Sequence, residues 1–264
     1  MVNDGVVVAS QVRYQLTLLL RNPRALMGGL ILPGALLALQ LGRVGHVGQA
    51  AAATLLAARV AGLVVLGAMS IAYLSHASSL VAAREDGVLR RWRATPLPSW
   101  GYFAGRMIAT VLLADLAGLI LVLVGVAMAG LHLTAGAIGG LLVAGTLGGL
   151  ALASAGTAIT PLITSSQGAN PVLALTYLPL IIFSGGFGGM SGLPSWLNTL
   201  MSYLPAQPMI DTTMRALDRA PLDWRDLAVL AAWSVGCLLI SVWFFRWDPH
   251  RPAHARRTDP AAVR

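Results

Sequence analysis

The sequence predicts an all-α membrane protein with six transmembrane helices, an N-terminal amphipathic interfacial helix, a charged cytoplasmic helix and an outer re-entrant helical segment. Residues 116–210 contain no Asp, Glu, Lys or Arg, whereas about a quarter of the residues in an ordinary soluble protein are charged. Over the whole chain of 264 residues, 56% are hydrophobic and 11% are charged. Because a bilayer penalises charge and rewards apolar side chains, we expect this chain to lie in lipid.

Residues 1–22 have the pattern of an amphipathic helix, which Asn3 or Asp4 can cap. Pro23 excludes Asn22 from the α region and so ends the helix. We expect this helix to lie in the cytoplasmic interface of the membrane, although an ordinary extension of the next span would have the same pattern. One face carries Val8, Val12, Leu16 and Leu19, and another carries Ser10, Arg13, Thr17 and Arg21.

Six apolar stretches within residues 23–247 are expected to cross the membrane. About 20 helical residues are needed to cross ~30 Å of hydrocarbon, and every stretch except the fifth approaches or exceeds that length. The fifth is short and contains Pro179, and Pro33 predicts a kink in the first. The six stretches lie between Arg24 and Arg43, between Arg59 and Arg84, between Arg106 and His132, from about Gly136 to Pro161, from about Pro171 to Ser184, and from about Leu227 to Phe245.

The distribution of arginine predicts the orientation of these spans. With six spans, the N-terminus, the loop between the second and third spans and the C-terminal tail share one side and hold 13 Arg, against five on the other side. Since basic residues are enriched in cytoplasmic loops, the side with 13 Arg is expected to be cytoplasmic, with both termini inside. The tail, residues 248–264, is rich in Pro and Arg and is expected to be disordered.

The composition also excludes several classes of function. All 18 basic side chains are Arg, so the chain cannot form a nucleotide-binding P-loop, which needs a Lys, and any ATP-driven work must come from a partner. The net charge of +8 is spread over span ends, which fits membrane orientation better than nucleic-acid binding. The single Cys and five scattered His predict neither a disulfide nor a metal site.

Small residues form two stripes along the fourth span. Such stripes let helices pack closely, which we expect here, although they could also line a translocation path. The first stripe is Gly136, Gly140, Ala144 and Gly148, and the second is Gly145, Gly149, Ala153 and Thr157.

The loop between the second and third spans, about residues 82–98, predicts a short charged helix. Its two acidic residues precede three of its four arginines, an order that suits the helix dipole, and Thr95 and Pro96 would end it. Val88, Leu89 and Trp92 give it an apolar side, which we expect to form an exposed ridge that enters a groove on another protein. A solvated turn with its Trp among the headgroups is the alternative.

This segment, Arg84 to Pro98 followed by Tyr102 and Arg106, resembles the cytoplasmic coupling helix of ATP-binding-cassette type 2 permeases. These are the membrane subunits of bacterial drug, antibiotic and glycolipid exporters, including the daunorubicin-exporter type. In that family the segment starts with acids and a Gly, continues with hydrophobic and basic residues, and ends in Ala-Thr-Pro-Leu, as residues 94–97 do here. The turn at residues 21–23 and the stretch from Leu193 to Arg215 support the resemblance, which covers essentially the whole chain.

The resemblance implies a non-catalytic permease in a bacterial inner membrane. It would pair with a second copy or a paralogue and with two separate ATPase subunits, which bind ATP and Mg²⁺, and would perform efflux of antibiotics or related compounds. By the same resemblance the ATPase would contact Glu85, Gly87, Leu89, Arg90, Arg91, Trp92, Thr95 and Pro96, with Arg13, Arg21 and Asn22 of the interfacial helix beside them.

Residues 185–223 return to the outer side. Leu193, Trp196, Leu197, Leu200 and Leu204 recur at intervals that predict an amphipathic helix too short to span the membrane, hence a re-entrant or interfacial helix pair. Asp211 and Arg215 stand four residues apart and are expected to pair on the following helix. This segment would either close the outer end of a substrate path, with Trp196 in the gate, or form a passive cap.

Asp115 is the one acid deep in a span, about 13 Å along the helix from Arg106. An intramembrane carboxylate is a functional candidate, here for a cavity that receives a cationic drug. A buried acid bonded to Ser, Thr or Arg of a neighbouring span is the structural alternative. A proton-coupled secondary transporter using Asp115 is a second hypothesis for function, but the internal repeats and further membrane acids typical of that class are not visible.

Overall fold

The computed structural model describes residues 4–21, 23–41, 49–93, 99–129, 133–183 and 194–244. Within these ranges the chain is helical apart from short turns and contains no strand, which confirms the all-α prediction. The α-helices are α1 (Asp4–Leu20), α2 (Pro23–Leu26), α3 (Leu32–Leu41), α4 (Gln49–Ala68), α5 (His76–Glu85), α6 (Val88–Arg93), α7 (Ser99–Ala129), α8 (Ala135–Ile159), α9 (Ser166–Phe183), α10 (Ser195–Ser202), α11 (Ala206–Leu217) and α12 (Trp224–Phe244).

Two π-helical turns join helices without a break, and a 3-10 turn extends α8. Met27–Ile31 is π-helical between α2 and α3, Met69–Ser75 is π-helical between α4 and α5, and Thr160–Leu162 continues α8 as a 3-10 turn. The first π turn explains the irregularity predicted at Pro33. A helical proline cannot bond to the carbonyl four residues earlier, which here belongs to Gly29 inside that turn.

Four described stretches are long and apolar enough to cross a membrane. They are Leu56–Glu85, Trp100–Ala127, Ala135–Leu162 and Trp224–Phe244, and they correspond to the predicted second, third, fourth and sixth spans. The chain is therefore a multi-pass membrane protein. Met27–Gln40 is a shorter apolar helix in place of the first span, and α9, in place of the fifth, contains Pro171 and Pro179. The count of six spans stays a prediction.

The second span lies at the centre of the bundle and the sixth at its outside. In the most apolar 18 residues of the second span, 89% are buried inside the protein, whereas only 22% are buried in the corresponding stretch of the sixth span. Val242 and Trp243 of α12 are accordingly exposed, as lipid-facing side chains would be. The first predicted stripe of small residues lies at a close helix contact, since a Cβ on Gly140 would lie 2.8 Å from the Cβ of Ala216 in α11.

Helices α8 and α11 lie side by side and run in opposite directions. A Cβ added to Gly148, in the middle of α8, would collide with Met209 near the start of α11. A Cβ added to Gly140 would lie 2.8 Å from the Cβ of Ala216, near the end of α11. Helix α11 therefore begins level with the middle of the fourth span and rises toward its start.

Helix α1 packs on the beginning of α7. Its buried face consists of Val7, Gln11, Gln15 and Leu19. Of the residues predicted to form the apolar face, only Leu19 is therefore fully buried, and the other three are half-buried at the edge of the contact. Gln11 meets α7 at Gly105, where an added Cβ would lie 2.5 Å from the Cβ of Gln11. Arg13 and Arg21 are exposed, and Asn22 lies outside the described residues.

Candidate functional site

The turn between α5 and α6 is formed by a glycine in the left-handed region. Gly87 has φ +70°, and its amide donates to the carbonyl of Arg84 at 3.2 Å while that of Asp86 donates to Ala82 at 2.9 Å. The carbonyl of Gly87 then accepts from the amide of Arg91 at 3.1 Å in the first turn of α6. This is the usual way in which glycine ends a helix, and it fixes the angle at which α6 leaves the second span.

Helix α6 is anchored by its apolar side. Leu89 is fully buried in a cluster with Leu80 of α5 and Tyr102 of α7, and the ring of Trp92 lies 5.6 Å from that of Tyr102. The prediction of an exposed apolar ridge is therefore wrong for Leu89. The start of α7 returns beside α6 and covers it, an encounter between two elements that the pattern of a single helix cannot predict.

The surface left exposed by this turn is charged. Glu85, Asp86 and Arg91 are exposed, and Val88 is half-buried. The Nη2 of Arg91 donates to the carbonyl of Asp86 at 3.3 Å, which holds this basic side chain against the turn. Of the other predicted contact residues, Thr95 and Pro96 lie outside the described residues, as does the side chain of Arg90.

Two adjacent residues connect this turn to the one between α8 and α9. Arg84 is buried and donates to the carbonyls of Thr160, at 3.1 Å, and of Ile163. Glu85 accepts from the amide of Ser166 at 2.6 Å. The sequence places Arg84 among the orienting arginines and at the start of the coupling-helix resemblance, but nothing in its spacing indicates that residues 160–166 come near it.

A buried polar cluster lies one to two helical turns further into the bundle than Arg84. Arg106 is buried and donates to the hydroxyl of Tyr102 at 3.0 Å, to the carbonyl of His76 at 3.4 Å and to the hydroxyl of Ser79. The ring of His76 is 3.0 Å from the hydroxyls of both Thr110 and Thr157, so it joins the second span to α7 and α8. Sequence reasoning missed this cluster. The available signal was the recurrence of Ser70, Tyr73, His76 and Ser79 at intervals of three within an apolar span.

Hydroxyl pairs also connect the second span to α9. The hydroxyls of Ser70 and Tyr177 lie 2.8 Å apart and those of Tyr73 and Thr176 lie 2.6 Å apart. The two tyrosine rings stack with centroids 6.4 Å apart. The central span is thus hydrogen-bonded to three of its neighbours, which makes it the element through which a movement of the α5–α6 turn would spread.

Asp115 lies near the middle of α7 and faces α8. Its Oδ2 accepts from the hydroxyl of Thr146 at 3.0 Å, which is the bond that the structural alternative expected. Its Oδ1 is buried without a hydrogen-bond partner. The carboxylate borders a cavity of about 30 Å³ that Met209 and Thr213 of α11 also line.

The three outer residues proposed for the substrate path do not join Asp115. Asp211 accepts from Gln207 at 3.1 and 3.3 Å. Arg215 forms its ion pair with Asp223 at 3.4 Å, so it attracts Asp211 only at longer range and not through the direct pair that the spacing predicted. The turn after α11 brings Asp223 to Arg215, an alternative that helical spacing does not reveal. Trp196 is exposed.

Within the described part of the chain, no group of three or more His, Cys, Asp or Glu could hold a metal ion. Residues 48–247, about three quarters of the chain, match the family model described as ABC-2 family transporter protein. None of the curated proteins compared with the chain matches it.

Proposed function

Since the chain belongs to the ABC-2 family of transporter proteins, and is thus the permease component of an ATP-binding-cassette transporter, we propose that it exports a lipophilic or amphiphilic substrate, such as a drug, an antibiotic or a lipid, from a bacterial cell. Two separate ATPase subunits would supply the energy, and a second copy or a paralogue would complete the membrane channel. The absence of Lys from the sequence supports this division of labour, because the chain cannot form a P-loop.

The α5–α6 turn carries this proposal. It lies at the end of the most deeply buried span and presents Glu85, Asp86 and Arg91 on its exposed side. Buried Leu89 and the φ of Gly87 hold it at a fixed angle. A rigid charged projection at the end of a central helix is suited to receive force from a partner protein, and we assign it as the coupling helix.

Movement of the coupling helix would reach several spans together. Arg84 and Glu85 connect it to the turn that begins α9. Tyr102 of α7 packs against Leu89, and Arg106 of α7 donates to α5. When ATP closes the two ATPase subunits, the push on this helix would tilt the first, second and fifth spans. A cavity between the two permeases would then change from inward-open to outward-open.

The remaining helices are assigned positions relative to the membrane. Helix α1 is proposed to lie in the cytoplasmic interface with Arg13 exposed to the headgroups. Helices α10 and α11 are proposed to form the outer re-entrant segment, since α11 begins level with the middle of α8. Both termini would then be cytoplasmic, in an inner membrane.

Reconstitution with a co-encoded ATPase tests the proposal. We expect a complex that hydrolyses ATP in proteoliposomes and moves at least one member of a panel of fluorescent amines, neutral drugs and lipids. The double variant Asp86→Arg with Arg91→Glu reverses two exposed charges at the coupling helix and should abolish transport. The control Asp218→Arg reverses an exposed charge at the opposite end of the bundle and should not.

Two results would overturn the proposal. One is transport that continues without any ATPase, or that a protonophore abolishes while ATP is present, which would favour a proton-coupled transporter. The other is full ATP-driven transport by the charge-reversed double variant, which would remove the coupling role from α6.

A further inference from the structure

We infer that the cleft around Asp115, which Gly145, Met209 and Thr213 also line, binds the protonated amine of a lipophilic or amphiphilic molecule, with the carboxylate as its counter-ion. This inference deepens the proposed function by naming a substrate class. Binding at the cleft can nevertheless be measured without any ATPase, so the two can fail separately.

The carboxylate is only half satisfied. Thr146 donates to Oδ2, but Oδ1 has no partner although it is buried. A buried charged oxygen without a partner is costly, and more so near the middle of a membrane span. A purely structural acid would be expected to satisfy both of its oxygens, whereas this carboxylate keeps charge that a cationic group could neutralise.

The polar atoms around the cleft can accept hydrogen bonds but have no proton left to donate. The hydroxyl of Thr146 donates its proton to Asp115, and that of Thr213 donates to the carbonyl of Met209 at 2.7 Å. Each hydroxyl keeps lone pairs for a further donor. Among the residues that line the cleft, Asp115 is the only charged one. Such a site favours a ligand group that carries donors alone, and an ammonium group is one.

The size of the cleft restricts what enters it. A cavity of about 30 Å³ holds one or two water-sized groups, which is room for an ammonium group but not for a whole drug. The side chains that line the cleft supply one carboxylate and one hydroxyl, which are too few oxygens for Mg²⁺ or Ca²⁺, since these ions take six or more ligands. The group that fits is thus the charged end of a larger molecule.

The surroundings of the cleft indicate where the rest of that molecule lies. Ile138 and Leu142 line the cleft and are 40% and 49% exposed, so they form its rim on the outside of the bundle. There the solvent is hydrocarbon. An apolar tail would lie against these two side chains while the amine reaches Asp115 from within the membrane.

Gly145 keeps the cleft open. A Cβ at this position would collide with Oδ1 of Asp115, so any other residue would displace the carboxylate. Gly145→Ala therefore blocks the site without changing a charge, and Asp115→Asn removes the charge with little change of shape. The exposed Asp218, replaced by Asn, is the matched control for loss of a negative charge elsewhere.

The experiment uses the purified full-length permease in lipid nanodiscs, without ATPase and with empty nanodiscs as the blank. The probe is radiolabelled dodecylamine, and dodecanol is its uncharged competitor. We expect saturable binding that weakens by roughly tenfold or more in Asp115→Asn and Gly145→Ala, as loss of a hydrogen-bonded charge predicts. Asp218→Asn should bind as the original protein does, and dodecanol should compete poorly.

Three outcomes would overturn the inference: no saturable binding above the blank, undiminished binding by Asp115→Asn, or competition by dodecanol equal to that of unlabelled dodecylamine. Thermal unfolding of each variant identifies any that fails to fold, and because Gly145→Ala and Asp115→Asn act by different means, either one that folds suffices for the test. Loss of this inference would leave ATP-driven transport of other substrates untouched.

Discussion

Gly87 and Gly145 both depend on having no side chain, but for different physical reasons. Gly87 needs its left-handed backbone, since φ is +70° and a Cβ there would meet nothing within 4 Å. Gly145 has an ordinary helical backbone but lies against Oδ1 of Asp115. The first glycine therefore sets a direction of the chain, and the second provides a space.

This distinction predicts the effect of alanine at Gly87. Gly87→Ala should lower the free energy of unfolding by about 1 kcal/mol, the cost of a left-handed conformation for a residue with a Cβ. Gly139→Ala is the control, because Gly139 is helical and has nothing within 4 Å. That substitution should stabilise by up to about 1 kcal/mol. Denaturant titration in detergent measures both, and a Gly87→Ala variant as stable as the original would contradict the account.

The hydrogen bonds of His76 fix the position of its proton. Thr157 donates its hydroxyl proton to the carbonyl of Ala153 at 2.9 Å, so it must accept from Nε2 of His76. Nδ1 then accepts from the hydroxyl of Thr110, which is fully buried. The ring is thereby assigned as neutral, with its proton on Nε2.

Thr110→Val tests this assignment. The substitution keeps the shape but leaves Nδ1 of His76 without a donor, which should cost about 1–3 kcal/mol in the free energy of unfolding. Thr110→Ser retains the hydroxyl and should cost clearly less. Equal losses from both variants in denaturant titration would mean that the methyl group matters and the hydrogen bond does not.

At the scale of helices, the sequence predicts a span well when length and apolar composition alone determine whether the stretch can cross the membrane. The second, third, fourth and sixth spans are long apolar stretches, and all four are present. The first predicted span is shorter and the fifth contains two prolines, so length alone does not establish that either one crosses the membrane. The π turn at Met69–Ser75 depends on packing between helices, and no pattern within one span indicates it.

Helix α6 illustrates how the same limit affects the candidate site. Its charged residues predicted a short helix at the surface of the protein. Glu85, Asp86 and Arg91 are indeed exposed there. Its apolar residues gave no indication of which protein they would pack against. The answer is this chain itself, through Leu80 and Tyr102.

Leu89 is accordingly predicted to act through stability. Leu89→Ala should cost about 2–5 kcal/mol, as expected for truncation of a fully buried leucine. Val88→Ala, on the same helix but half-buried, should cost less than about 1 kcal/mol. A Leu89→Ala variant that unfolds at the same denaturant concentration as the original but no longer stimulates an ATPase would show that Leu89 makes a direct contact.

For the whole molecule, the hydrogen bonds between elements join the two turns at one end of the bundle. Arg84 and Glu85 connect the α5–α6 turn to residues 160–166, and Arg106 continues the connection into α7. The Asp115 cleft lies further along α7, against α8 and α11. Under the proposed function, a displacement of α6 would reach this cleft through α7 and α8, and ATP binding by a partner would thereby change the affinity of the cleft.

The sidedness of the membrane is the premise on which this coupling depends, and the single cysteine makes it measurable. Cys237 is buried in α12, and Cys237→Ala gives a background without thiols. On that background, Asp86→Cys places a thiol on the α5–α6 turn, and Asp218→Cys places one just after α11; both positions are exposed. We expect a membrane-impermeant maleimide to label Asp218→Cys in intact cells and Asp86→Cys only after permeabilisation, because the distribution of arginine predicts that the α5–α6 turn faces the cytoplasm. Labelling of Asp86→Cys in intact cells would put the turn on the outside, where no ATPase could push it.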